Sequence, residues 1–185
     1  SIEGGIDLAV DRALARRCDA LQIFTRNPRG WRFGELADRA EAFRRKVASS
    51  SIAPVVVHMP YLPNLASPRQ RIYEASVKSL AAEVKRCELL GAQYLVVHLG
   101  SHLGSGAVAG SGRIIQALSE ALLGGGTTIL LENTAGSRNS MGSTFDEISG
   151  ILGRVGKAVS VCRDTCDAFA SGCDRGDWVA MVVCV

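Results

Sequence analysis

Two of the three histidines in this chain close apolar runs of one kind: VVVH ends at His58 and YLVVH ends at His98. Two more runs end in or beside a carboxylate, TILLE at Glu132 and AVSVC just before Asp164. A single strand-end histidine is more often a hydrogen-bonded, half-buried side chain than a ligand, and a lone glutamate can simply pair with an arginine. Four such ends in succession favour a shared metal site instead. Imidazole and carboxylate without thiolate are donors suited to Zn²⁺, with Mn²⁺ and Fe²⁺ as alternatives. Glu132 could bridge two ions, and two ions about 3.5–4 Å apart activate water and stabilise the leaving oxygen of a phosphodiester. The expected site therefore holds His58, His98, Glu132 and Asp164, with hydrolysis as its chemistry.

Such residues, far apart in sequence, need a scaffold that gathers strand ends. The apolar runs Ala20–Phe24, Val55–His58, Tyr94–His98, Thr128–Glu132 and Ala158–Cys162 are continuous rather than alternating, as in parallel strands covered on both faces. Helical stretches separate them. Ile6 to Arg17 supplies a short one; Leu36, Ala40, Phe43 and Val47 make a stripe; Val77, Leu80, Val84 and Cys87 make another that stops at Gly91; Ile114, Ile115, Leu118 and Leu122 make a further one. Ser67-Pro68 reads as an N-cap with proline in the first helical position, and Thr144 with Glu147 as a capping box. Units of this length and order suit βαβ crossovers. Neither a Gly-x-Gly-x-x-Gly after the first strand nor a GxxxxGK[ST] occurs, which removes the main support for a nucleotide-binding doubly wound fold. The expected fold is an α/β TIM barrel, whose C-terminal strand ends share one face and carry the active site. A full barrel has eight strands and about 250 residues, so five or six strands make an incomplete one.

At 185 residues, 47% hydrophobic and 21% charged, the chain has material for one globular core and is not a disordered segment. A net charge of +3 permits a polyanionic partner without announcing one. Its six cysteines are scattered and need no oxidising compartment, so a reduced cytoplasmic setting is expected. Cys162, Cys166 and Cys173 match no standard zinc module and read as thiols. No apolar run approaches the ~20 residues that cross a membrane.

Several segments carry a family likeness: QIFTRNPRGW (22–31), HMPYLPNLASP (58–68), RCELLGAQYLVVHLGSHLG (86–104), LLENTAG (130–136) and VCRDTCDAFASGCD (161–174). Together they resemble endonuclease IV, a family of zinc-dependent apurinic/apyrimidinic endonucleases of base-excision repair. The resemblance implies a TIM barrel with up to three zinc ions that hydrolyses the DNA phosphodiester 5′ to an abasic site. It places His58, His98 and Glu132 at a first zinc and Glu132 with Asp164 at part of a second, with Glu132 catalytic. It also puts Arg29 on a DNA-penetrating loop and has Tyr61 and Leu62 enter the abasic gap, as wedges do when a nucleotide leaves the stack. On the residues alone, Tyr61 and Leu62 read equally as a hydrophobic lid, and Arg29 as a solvated loop charge. His102 falls beside the ligands as a supporting or phosphate-facing residue, and Asn133 and Thr134 are expected to orient the loop after Glu132.

The chain departs from the family in three places. Asp167 in DTCDAF replaces a histidine that serves the third zinc, a carboxylate that can still bind zinc with different geometry. RGDWVAMVVCV, from Arg175, diverges, so the likeness covers 1–174 as a partial barrel and 175–185 as a separate tail, in which Trp178 to Val185 could form a substitute strand. The family's opening strand is also missing, so the expectation is a barrel truncated at both ends, with one zinc site complete and a second partial. A completed barrel is expected to act as a monomer on double-stranded DNA. Two rivals remain: a catalytically dead remnant with partial zinc or DNA binding, and a metal-dependent sugar isomerase or epimerase. The RNPRGW and HMPYL loops favour DNA.

Overall fold

The computed structural model describes residues 1–122, 126–156 and 158–172. The tail 175–185, the strand expected at Trp178 to Val185, and the thiols Cys173 and Cys184 lie outside the described residues. Eleven elements follow in order: α1 (Leu8–Ala15), β1 (Leu21–Ile23), α2 (Ala37–Ala48), β2 (Val55–His58), α3 (Gln70–Leu90), β3 (Tyr94–His98), α4 (Ala107–Ala121), β4 (Thr128–Glu132), α5 (Phe145–Leu152), β5 (Val159–Cys162) and α6 (Thr165–Ala170). The strands make one parallel sheet in the order β1-β2-β3-β4-β5. A doubly wound sheet reverses direction at a switch point, whereas this order runs one way throughout. Right-handed crossovers in a one-way order place every connecting helix on the same face, which is how a (β/α) barrel is wound. Among the described residues the sheet is an open arc of such a barrel.

Strand residues alternate between two environments. Ile23, Val55, Val57, Leu95, Val97, Ile129, Leu131 and Val159 belong to the hydrophobic core shared with the helices. That core takes Phe43 from α2, Leu80 and Cys87 from α3, Ile114 and Leu118 from α4, and Ile148 from α5. Consecutive side chains point to opposite faces, so the helix-free face receives Gln22, Val56, His58, Tyr94, Val96, His98, Thr128, Leu130, Glu132, Ser160 and Cys162. His58, His98 and Glu132 therefore lie on the inner face of the arc, at its C-terminal rim.

Two helix starts differ from the sequence expectation. Helix α3 begins at Gln70, not after Ser67; Arg69 is its N-cap and makes no side-chain cap bond. Ser67 Oγ instead accepts from Arg69 N at 3.2 Å, a local turn that holds the backbone out of the helix for two more residues. At α5 only half the capping box forms: Thr144 Oγ1 accepts from Glu147 N, while the Glu147 carboxylate takes Gly142 N at 2.6 Å. The competing donor belongs to the loop after β4, so Glu147 ties that loop down instead of closing its own cap. Gly91 ends α3 in the left-handed conformation.

Candidate metal centre

The strands bring the ligands together because their register is nearly level: His98 is the direct partner of Glu132, and His58 pairs with Val96 one strand over. His58 Nε2 and His98 Nε2 each lie 3.2 Å from the same oxygen, Glu132 Oε2. The ligand atoms of these three residues all fall within 4.8 Å of one another. His58 and Glu132 are nearly buried, and the His98 side chain is 35% exposed, leaving the centre open on one side.

Hydrogen bonding fixes what these atoms can do. His58 Nδ1 lies 2.7 Å from the Met59 carbonyl, so that nitrogen carries the proton and donates. In the neutral ring Nε2 is then a bare lone pair aimed at a carboxylate oxygen that is itself only an acceptor. His98 Nε2 faces the same oxygen. Acceptors converging in a half-buried site repel unless a cation or protons sit among them, so the donor set fits a divalent metal. Burial holds the His98 imidazole below its ordinary value, with His58 acting in the same direction and the charges of Glu132, Asp167 and Asp164 opposing it. The uncharged, ligating form of His98 thus persists to lower pH than in a free histidine. Cys162, beside Glu132 in the register, is pushed up to about 11 by burial and by the charges of Glu132 and Asp164. Without a metal it stays a thiol near neutrality, and it stands outside the three-residue group.

The remaining expected residues are placed as follows. Asp164 and Asp167 stand outside the three-residue group, near enough for their charges to act on His98. Asp164 is the N-cap of α6: its Oδ1 accepts from Asp167 N at 2.8 Å, which leaves Oδ2 to any metal. Tyr61, 56% exposed, has its ring centroid 5.6 Å from that of His58, 6.3 Å from that of His98 and 5.3 Å from that of Phe24. Leu62 beside it is 40% exposed, and Arg29 is exposed on the loop between β1 and α2. His102 Nδ1 accepts from Gly104 N and Gly106 N, so it shapes its own loop.

Asn133 pins the backbone of residue 164 at both ends. Its Nδ2 donates to Asp164 O at 2.9 Å and its Oδ1 accepts from Asp164 N at 2.8 Å. Thr134 holds the loop after β4 through Gly142 and Met141. Asn133→Ala removes both bonds at a side chain only 2% exposed and leaves two backbone groups without those partners. The expected loss is about 1–3 kcal/mol, measured as a lower denaturant midpoint with an unchanged slope; an unchanged midpoint would show that water replaces the clip.

The sequence reading missed Asn64 and Phe24. Asn64 joins the loops after β2 and β3, with Nδ2 donating to Ser101 O and Oδ1 accepting from Ser101 N. A Cβ at Gly100, whose φ is +87°, would collide with that amide. An isolated Asn in a Pro-rich loop carries no signal of this. Phe24, one residue past β1, lays its ring against both His58 and Tyr61.

With this geometry established, comparison with known proteins gives a consistent result. Residues 10–183 match the family described as xylose isomerase-like TIM barrel. The chain is 52% identical over 180 residues to "Probable endonuclease 4" of Methanoculleus marisnigri, and 45% identical over 179 residues to the protein of that name from Halothermothrix orenii. Each match covers 94% of this chain and 64% of the relative, so the chain spans a little under two thirds of the length of these relatives. Among solved structures, endonuclease IV from Thermus thermophilus superposes with a TM-score of 0.80 at 34% identity, over 92% of this chain and 61% of that one. A D-tagatose 3-epimerase-like protein has a TM-score of 0.70 at 21% identity, over 85% of this chain and 60% of that one, a likeness of fold alone.

Proposed function

The chain belongs to the xylose isomerase-like TIM barrel family, and from that premise we propose that it serves a zinc-dependent endonuclease that cuts the DNA phosphodiester 5′ to abasic sites. The observation that carries this reading is the convergence of His58, His98 and Glu132 directly beneath an exposed tyrosine. His58, locked by Met59 in the tautomer that bares Nε2, together with His98 and Glu132, would hold zinc. Asp164 and Asp167 would be the next ligands outward. Zinc supplies Lewis acidity for phosphodiester cleavage when bound.

The surrounding side chains give the substrate preference. Tyr61 offers an aromatic face over the centre and Leu62 an apolar neighbour, which fits a gap left by a missing base; base–aromatic stacking of this kind is worth about 1–3 kcal/mol per base. Arg29 supplies a cation for a backbone phosphate. Among the described residues no helix is long and apolar enough to cross a membrane; the cytoplasmic setting proposed here rests on the scattered cysteines of the sequence.

The test is nicking of a synthetic abasic duplex with and without chelator. Nicking 5′ to the lesion that chelation stops and zinc restores supports the reading. Folded, zinc-loaded chain without nicking would support a binding remnant, and sugar isomerisation without nicking would support the epimerase-like alternative. A narrower expectation concerns Arg29→Ala: duplex affinity falls for every sequence alike, and the slope of log K against log salt drops by about 1. Titrations at several salt concentrations measure that slope; an unchanged slope would remove Arg29 from the phosphate contacts.

A further inference from the structure

A second cluster of buried charge lies at the root of the β1–α2 loop, and the metal centre makes no use of it. Arg26 and Glu83 pair at 2.6 Å with side-chain exposures of 2% and 0%. The other Glu83 oxygen accepts from Thr25 Oγ1 at 2.6 Å, and Thr25 Oγ1 in turn accepts from Arg86 Nε at 2.8 Å. Arg26 Nη2 donates to Ser79 Oγ, and its guanidinium carbon sits 4.5 Å from the Phe33 ring centroid.

The other hydrogen bonds of the two guanidiniums go to the backbone of one loop. Arg26 Nη1 holds Gly30 O at 2.6 Å, Arg86 Nη1 holds Gly34 O at 2.8 Å, and Arg86 Nη2 holds Thr25 O at 2.7 Å. Two arginines, one borne by the loop and one by α3, thus grip three carbonyls spaced along residues 25–34. The loop touches the site through the Phe24 ring, which lies against His58 and Tyr61, and through Pro28 O, which accepts from Tyr61 N at 3.0 Å. Arg29 follows Pro28 directly, and Trp31 is 37% exposed two residues on.

Two guanidiniums buried with one carboxylate are a poor way to gain stability, because desolvation of the charges opposes their attraction. A planar fork that meets several acceptors in fixed directions is a good way to set a backbone course. We propose that Arg26, seated on Glu83 and Ser79, is a positioning residue that fixes the β1–α2 loop against Tyr61, so that Arg29 and Trp31 are preset for an abasic duplex. This rests on the DNA reading above.

Arg26→Lys separates positioning from simple charge balance. Lysine keeps a cation near Glu83 but cannot also reach Ser79 Oγ and Gly30 O while lying over Phe33. The expected result is a zinc content equal to wild type, tryptic cleavage after Arg29 and Arg32 about tenfold faster, and affinity for an abasic duplex about tenfold weaker. Cleavage is followed by mass spectrometry in the 185-residue chain. Unchanged cleavage and unchanged affinity in a folded Arg26→Lys chain would overturn the proposal. Should that chain fail to fold, Ser79→Ala, which removes one acceptor, is read the same way. If wild type has no affinity for the duplex, the DNA reading fails separately; faster cleavage in the variant then still supports the fastened loop, and equal cleavage overturns it.

Discussion

Glu132→Gln is expected to lose metal binding without losing stability. Glu132 Oε2 is the one atom that both His58 Nε2 and His98 Nε2 approach at 3.2 Å, so its charge is what makes the two imidazoles a site for a cation. Disturbing a partner that merely orients a ligand costs about 10–100-fold in metal affinity, and removing the shared ligand is expected to exceed about 100-fold. The apo chain responds in the other direction. Glutamine has the same size but places an NH₂ where a carboxylate oxygen was, so the His58 lone pair left by the Nδ1–Met59 bond gains a donor to accept from. Zinc raises the thermal midpoint of wild type because it binds only the folded state; in Glu132→Gln that rise disappears while the metal-free midpoint stays level or climbs. Differential scanning with and without zinc measures both at once. A retained zinc-dependent rise would move the centre away from Glu132.

The expectations from sequence succeeded where a side chain's role follows from its place in a repeat. Each strand run ended within a residue of where it was expected, since βαβ spacing and Val-rich character leave little freedom. Reading those runs as continuous, however, concealed their phase. Gln22, Tyr94, Thr128 and Ser160 sit on the same inner face as His58, His98 and Glu132; the first three share one rung, Gln22–Val56–Tyr94–Thr128, and Ser160 lies on the next, beside Leu130. That polar row was present in the sequence as a faint period of two, and it marks the face on which the ligands had to lie. Loop roles were less legible. Ser67, Glu147 and Asn64 are all turn or cap formers by type, but their type does not say which backbone group each meets: Ser67 takes Arg69 N and Glu147 takes Gly142 N nearby in the chain, while Asn64 reaches Ser101 on a separate loop. Arg26, Glu83 and Arg86 lie up to sixty residues apart, and each alone looks like an ordinary surface charge.

Those three charges yield the largest expected loss of stability. In Glu83→Ala two buried guanidiniums, Arg26 and Arg86, lose the carboxylate that balances them, and Thr25 loses its acceptor. Burial already holds Arg86 below the usual arginine range, with Glu83 opposing that effect and Arg26 adding to it, so removing Glu83 takes away the partner that keeps the pair tolerable. Breaking a buried pair on one side costs about 3–5 kcal/mol, a large share of the 5–15 kcal/mol that holds a typical domain together. A fall of about 10 °C or more in thermal midpoint is expected for a chain of this size. The double replacement Arg26→Met with Glu83→Met is the informative control, because it removes the carboxylate together with the guanidinium that pairs with it directly and leaves Arg86, held on Thr25 and Gly34 oxygens, as the guanidinium without that partner. If the network exists for stability, the double variant falls as far as Glu83→Ala. If it exists to set the course of the β1–α2 loop, the double variant recovers much of the midpoint while cleavage after Arg29 and Arg32 stays fast. Stability and loop order then respond differently to the same residues, and only a positioning role predicts that separation.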